Sequence, residues 1–122
     1  MKKIYAVLGM LGLLGCTTPD YDGNEVLFAS RIKMTAEKGL AVCYVNPQVA
    51  YEKVLPDVLD QIREFVYYEQ YRPGNGKVVE KAKEIHKYLA LYQVKDLKAY
   101  CQNKFESTVY GFDSILQEVS KR

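Results

Sequence analysis

The chain has 122 residues, of which 48% are hydrophobic and 26% are charged, and its formal net charge is +2. The two excess positive charges come from Lys2 and Lys3, because residues 16–122 contain fifteen basic and fifteen acidic side chains. A chain of this length suits one small domain, and a neutral, mixed surface excludes the basic footprint of a nucleic-acid-binding protein.

The first sixteen residues have the pattern of an export signal. Lys2 and Lys3 precede an apolar stretch, residues 4–14, which is too short to span a bilayer. The stretch leads into LLGC at residues 13–16, which resembles a bacterial lipobox. That resemblance implies cleavage before Cys16 and attachment of acyl chains to it. The alternative is an ordinary N-terminal helix with a chance cysteine.

The lipobox interpretation divides the chain into three parts. Residues 1–15 are predicted to be a lipoprotein signal peptide, residues 16–24 a lipidated tether, and residues 25–122 an α-helical domain. Thr17, rather than an aspartate, follows the cysteine, and among lipoproteins this implies transfer to the outer membrane. We therefore expect a periplasm-facing protein held at the outer membrane by its acyl chains, since two or more chains give stable attachment.

Apolar residues at helical spacing begin after the predicted tether and indicate two helices in the first half of the domain. The first starts at Glu25 and is redirected by Asn46-Pro47, and the second opens at Leu55-Pro56-Asp57. Residues 48–54 form either a separate short helix or a continuation that kinks at Pro56. The two apolar faces comprise Phe28, Ile32, Leu40 and Cys43, and Val58, Leu59, Ile62, Phe65 and Val66.

Two more helices are predicted in the second half. The loop RPGNG at residues 72–76 precedes the third, and residues 94–96 connect it to the last, with Asp96 as its N-cap. Short connections favour antiparallel neighbours, so the chain is predicted to be all-α, a small bundle of about four helices. The apolar stripes are Val78, Ala82, Ile85, Leu89 and Tyr92 in the third, and Leu97, Cys101, Phe105, Val109, Phe112, Leu116 and Val119 in the last.

Cys43 and Cys101 are the two cysteines that follow the lipobox. Because the periplasm is oxidising, an even pair indicates a disulfide, here between the end of the first helix and the last helix. It would close a long loop and stabilise the fold by about 4 kcal/mol in the chain-entropy model. The alternative is two separate buried thiols. Two cysteines and one distant histidine do not make a tetrahedral metal site, and no cofactor is predicted.

The sequence contains no recognisable catalytic constellation. HExxH, Walker and GxSxG motifs are absent from it, and the carboxylates are predicted to lie on exposed helix faces. His86, beside Lys83 and Lys87 on the apparent polar face of the third helix, is predicted to be a surface residue. The protein is therefore not expected to be an enzyme.

Tyrosine is the abundant aromatic residue, with eleven in the chain. Tyr67, Tyr68 and Tyr71 cluster at the end of the second helix, and a further group lies near the turn between the last two helices. These residues either fill the core margin or form a binding rim, because tyrosine is enriched at interfaces and costs little side-chain entropy. The further group consists of Tyr88, Tyr92 and Tyr100.

The first helix also carries a second apolar row, roughly opposite its Phe28 and Ile32 face. This row is either the wall of a groove for a partner helix or a surface that residues 46–54 cover. The row consists of Leu27, Met34, Ala41 and Val45. The predicted partner-binding residues are Leu27, Met34, Tyr67, Tyr68 and Tyr71.

The order of these features resembles a known family. The lipobox, Cys43, the Leu55-Pro56-Asp57 helix start and the closing CQNKFESTVYGFDSIL at residues 101–116 are similar to the small α-helical pilotins of type II secretion systems. The resemblance implies a protein without chemistry that captures a C-terminal segment of a secretin subunit and guides it to the outer membrane.

Two other functions fit a small tethered helical domain. One is a phage- or plasmid-type exclusion or inhibitor lipoprotein that blocks an envelope receptor, channel or hydrolase, for which an aromatic patch is equally suitable. The other is a structural envelope lipoprotein without a dedicated partner.

Overall fold

The computed structural model describes residues 20–91 and 97–122. The predicted signal peptide, the lipobox cysteine Cys16 and the predicted N-cap Asp96 lie outside the described residues. Within them all regular structure is helical, which confirms the all-α prediction. The elements are α1 (Gly23–Val45), α2 (Pro47–Val49), a π-helical turn (Ala50–Val54), α3 (Leu55–Glu69), α4 (Gly76–Ala90) and α5 (Leu97–Ser120).

Helix α1 begins at Gly23, two residues before the predicted start at Glu25. Asp22 caps it, because its side chain accepts a hydrogen bond of 2.9 Å from the backbone N–H of Asn24. Residues 20–24, assigned above to the tether, thus include the cap and first turn of the first helix. The buried face of α1 repeats at steps of three and four residues and consists of Glu25, Ala29, Ile32, Ala36, Gly39 and Cys43.

The chain changes direction at Asn46, as predicted from the Asn-Pro pair. Asn46 is extended and accepts hydrogen bonds from the backbone N–H groups of Gln48 and Val49. From Pro47 the chain stays helical through Glu69, so residues 48–54 are a continuation and not a separate helix. The π-helical turn ends two residues before Pro56, which has no N–H to donate and whose ring crowds the carbonyl four residues back.

Helices α3 and α4 form a hairpin around the predicted loop. Gly74 in this loop has φ of 82°, a left-handed conformation that side chains disfavour and glycine adopts freely. The apolar stripes face each other and enter one core with α1 and α5. Their buried members are Val58, Ile62 and Phe65 in α3, and Val78, Ala82 and Leu89 in α4.

Helices α1 and α5 make the most extensive helix pair in the bundle. Gly39 lies where the two approach closely, since a Cβ atom there would collide with the Phe105 ring. Cys43 and Cys101, both fully buried, form the predicted disulfide with 5.8 Å between their Cα atoms. Of the helices in residues 20–91 and 97–122, none is long and apolar enough to cross a membrane.

Candidate functional site

Charged and polar side chains are buried at the end of the bundle where α1 begins. We call Glu25, Glu69, Arg72, Asn75 and Arg122 the polar cluster. They come from the start of α1, the end of α3, the loop before α4, and the residues after α5. Both glutamate side chains are completely buried, and Asn75 is 2% exposed. Buried carboxylates are costly without partners, so their contacts decide what this end of the molecule does.

Glu25 is the centre of the polar cluster. Its Oε2 lies 2.7 Å from Nη1 of Arg122 and 2.8 Å from Nη1 of Arg72. The amide of Asn75 donates to the same oxygen at 3.1 Å and also donates to Oε1 of Glu69. Asn75 precedes α4 but makes no capping bond with its side chain. Its amide instead donates to both carboxyl groups, so the Asn75 side chain does not cap α4.

Glu25 and burial both affect the ionisation of Glu69. Burial, together with the hydrogen bond and repulsion from Glu25, raises the pKa of Glu69 from 4.5 to about 8, against the opposing attraction of Arg72 and Arg122. Glu69 therefore holds a proton at neutral pH, and that proton makes a hydrogen bond between the two carboxyl groups possible.

The prediction that carboxylates lie on exposed helix faces is wrong for Glu25 and Glu69. The sequence does contain a signal for both. Glu69 continues the α3 stripe of Val58, Ile62 and Phe65 at the same four-three-four spacing, and Glu25 lies four residues before Ala29 in the α1 stripe. A charged residue in phase with an apolar stripe indicates a buried, paired charge at the end of the core.

An open aromatic cleft lies next to the polar cluster, between α1 and α3. It has a volume of about 710 Å³. Phe28 and Tyr68 stack edge to face with 5.2 Å between their ring centres, and Tyr67 and Tyr71 do the same at 5.5 Å. Tyr67 and Tyr71 are 65% and 70% exposed. The residues that line the aromatic cleft are Phe28, Glu64, Tyr67, Tyr68, Tyr71 and Arg72.

Hydrogen bonds hold the aromatic cleft to the start of the domain. The hydroxyl of Tyr68 donates to Oδ2 of Asp22, a bond that raises the pKa of Tyr68 and lowers the pKa of Asp22. Arg72 donates through Nη2 to the backbone oxygen of Asp20 at 2.9 Å. Arg72 therefore lines the cleft, pairs with Glu25 and fixes the first described residue, so all three features are parts of one rigid end.

The five predicted partner-binding residues divide into two groups. Tyr67, Tyr68 and Tyr71 come together in the aromatic cleft, as predicted. Leu27 and Met34 do not line it, because they point away from the core of the bundle and are 59% and 65% exposed. The alternative in which residues 46–54 cover this row is wrong, since those residues pack on the opposite, buried face of α1.

The second group of tyrosines surrounds one of the chain's own lysines. Nζ of Lys104 lies 4.1 Å from the ring centre of Tyr88 and 4.9 Å from that of Tyr100, and it donates to the backbone oxygen of Tyr88. Lys104 is 2% exposed. Tyr92 lies outside the described residues. This second group of tyrosines fits the core-margin interpretation, because the cation against its rings is Lys104 of the same chain.

His86 is half-buried, which corrects the prediction of a surface position. Burial lowers its pKa, and the nearby charge of Arg63 lowers it further. The His86 side chain is therefore neutral at pH 7 and lies at the margin of the core.

The comparisons with known proteins add no relative. No protein-family model, curated protein or solved structure matches the chain. The resemblance to pilotins therefore stays a prediction, carried by the residues quoted for it.

Proposed function

We propose that the protein is a lipid-anchored periplasmic adaptor that holds a segment of a partner protein in the aromatic cleft. The observation that supports this most is the exposure of Tyr67 and Tyr71 in a cleft where hydrogen bonds hold Tyr68 and Arg72. Exposed aromatic rings on a rigid wall bind apolar side chains at a low cost in conformational entropy.

The shape of the aromatic cleft favours a helical or extended segment over a small molecule. It is open to solvent, and the stacked rings of Phe28 and Tyr68 are less exposed than those of Tyr67 and Tyr71. Glu64 and Arg72 line it too, so a bound segment meets apolar rings flanked by one charge of each sign. An amphipathic helix would place its apolar residues, spaced three and four apart, against the rings.

The polar cluster supports this binding role from behind the cleft wall. Its two carboxyl groups are completely buried and engaged by Arg72, Arg122 and Asn75. These contacts hold Arg72 and the ends of α3 and α5 in place, which keeps the cleft preformed before a partner arrives.

The lipobox and the resemblance to pilotins name the first partner to test. A secretin C-terminal segment would fold as a helix in the aromatic cleft, and the acyl chains on Cys16 would bring the subunit to the outer membrane. Affinity would come from apolar burial, reduced by the ordering cost of the segment.

The test is a titration of residues 20–122, with the disulfide intact, against C-terminal peptides of secretins from the same organism. We expect micromolar or tighter binding with a gain of helical signal, and about tenfold weaker binding for Tyr67→Ala. Tyr110→Ala is the matched control, because Tyr110 is 67% exposed but lies on α5 away from the cleft. If no secretin peptide binds, the adaptor proposal is overturned, and an exclusion or inhibitor lipoprotein becomes the better hypothesis.

A further inference from the structure

We propose that the end of the bundle beside the aromatic cleft is a membrane-contact surface, on which Tyr21 and Tyr71 enter the head-group layer of the bilayer. This surface, the tethered end, comprises the start of α1, the loop between α3 and α4, and the residues after α5. The inference rests on the lipid anchor of the proposed function and goes beyond it. The anchor alone requires attachment, not contact between the folded domain and lipid.

The length of the tether sets how far this end lies from the membrane. Four peptide units join Cys16 to Asp20, so the chain between them spans at most about 14 Å even when fully extended. Asp20 is not free to move away from the bundle, because its backbone oxygen accepts from Arg72 at 2.9 Å. An acylated Cys16 therefore keeps Asp20, and with it the tethered end, within about 14 Å of the layer that holds the acyl chains, a distance of roughly two head-group layers.

The side chains exposed at the tethered end suit a bilayer interface. Tyr21 is 56% exposed and Tyr71 is 70% exposed, and tyrosine concentrates where one part of the ring is apolar and the hydroxyl is wet. Lys77 and Lys121 are exposed at the same end. Their ammonium groups would face anionic lipid phosphates, while their stems lie along the apolar layer.

The same hydrogen bonds that hold the aromatic cleft fix the residues next to these two tyrosines in the chain. Tyr21 lies between Asp20, which is bonded to Arg72, and Asp22, which caps α1 and accepts from Tyr68. Tyr71 precedes Arg72 and stacks on Tyr67. Both rings are therefore presented on a preformed surface. Tyr71 forms the membrane side of the aromatic cleft, so a segment bound there would lie close to the bilayer.

If the helices lie along the membrane normal, the opposite end of the bundle is too far from Cys16 for the tether to bring it to the membrane. Tyr44, near the end of α1, is 23 residues from Tyr21, which corresponds to about 34 Å along a helix axis. Tyr44 is 61% exposed. It is thus a matched control for Tyr21 and Tyr71, with similar exposure at the other end of the same molecule.

The chain contains no tryptophan, so a single introduced tryptophan reports on its own surroundings. We would express the full chain with its signal, purify the acylated protein and reconstitute it in phosphatidylethanolamine–phosphatidylglycerol vesicles that contain a nitroxide-labelled lipid. Tyr21→Trp and Tyr71→Trp are expected to lose about half of their emission, with a shift to shorter wavelength, as expected for rings at the head-group and acyl-chain boundary. Tyr44→Trp is expected to keep its emission.

Flotation of the vesicles separates the possible failures. If the protein floats with the vesicles, Cys16→Ser does not, and neither Tyr21→Trp nor Tyr71→Trp is quenched, the membrane contact is overturned while the anchor stands. If Tyr44→Trp is quenched as strongly as Tyr71→Trp, the bundle lies flat and the inference is also overturned. If the unaltered chain does not float, the lipid anchor of the proposed function fails, and the inference falls with it.

Discussion

The two ends of the α1–α5 helix pair are joined in opposite ways. At one end Cys43 and Cys101 form a covalent bond between fully buried sulfur atoms. At the other end Glu25 accepts from Arg122, a pairing between residues 97 positions apart. The disulfide acts mainly on the unfolded chain by removing loop entropy, whereas the ion pair acts on the folded state and depends on ionisation.

This difference matters because the candidate site lies at the ionic end. The aromatic cleft and the tethered end share Arg72 with the polar cluster. A change in pH is therefore expected to reach the binding surfaces, while a reducing agent acts on the remote end. Four variants test this contrast, in order of the expected effect on stability.

The largest loss of stability is expected when Cys43→Ser and Cys101→Ser together remove the disulfide. The two cysteines are 58 residues apart, so the chain-entropy model gives a loss of about 4 kcal/mol in the free energy of unfolding. Urea denaturation of both proteins at one pH measures this loss. The same loss at pH 5 and pH 8 would agree with a disulfide end that does not depend on ionisation. A loss that varies strongly with pH would contradict this.

The next effect is expected from Glu25→Ala. This change leaves Arg72 and Arg122 without their shared carboxylate, and the loss of one partner of a buried ion pair costs about 3 kcal/mol. The control is Glu37→Ala, because Glu37 is an exposed glutamate on the same helix. Urea denaturation should show a stability close to that of the unaltered protein for the control. Equal losses in both variants would show that the polar cluster contributes nothing specific.

A smaller, pH-dependent effect is expected from Glu69. In the folded protein its pKa is raised from 4.5 to about 8, so the folded state keeps a proton that the unfolded chain releases. This contribution to stability is complete below about pH 4.5 and is lost as the pH rises towards 8. The free energy of unfolding should therefore decline across this window, by roughly 1–2 kcal/mol after allowance for relaxation of the site.

The matched variant for this pH effect is Glu69→Gln, which keeps the shape but does not titrate. Its stability should vary less between pH 5 and pH 8 than that of the unaltered protein, measured by thermal or urea unfolding. A decline of the same size in both proteins would assign the pH dependence to other groups. Asp22 and Asp113 do not confuse the result, because their lowered pKa values place their contributions below this window.

The smallest effect is expected from Tyr68→Phe. The change removes one hydrogen bond to Asp22 at a partly exposed position, which costs about 0.5–1 kcal/mol. Tyr67→Phe is the control, since Tyr67 lies beside Tyr68 in the aromatic cleft and is 65% exposed. Urea unfolding at pH 7 distinguishes the two variants. A larger loss in the control than in Tyr68→Phe would mean that the wall of the aromatic cleft is not held by this bond.

The helices were predictable because their signals are local. Apolar spacing of three and four residues identified the buried faces of α1, α3 and α4, and Asn46-Pro47 and RPGNG gave two of the breaks. The disulfide was predicted from the even number of cysteines after the lipobox together with the oxidising compartment that the lipobox leads us to expect. The continuation of residues 48–54 into α3 was predicted as one of two alternatives. The π-helical turn within it was not predicted, since a change in the hydrogen-bond pattern of a helix has no signature in the composition.

The sequence by itself thus determined the helical class, the cysteine pairing and the grouping of Tyr67, Tyr68 and Tyr71. Only the tertiary structure decided which charges are buried and which apolar residues stay exposed. Glu25 meets Arg122 across 97 residues, and Met34 stays 65% exposed because no helix in the described residues packs over it. Helical periodicity gives each residue a face, but burial depends on which distant helix covers that face, and that pairing is not encoded within one helix.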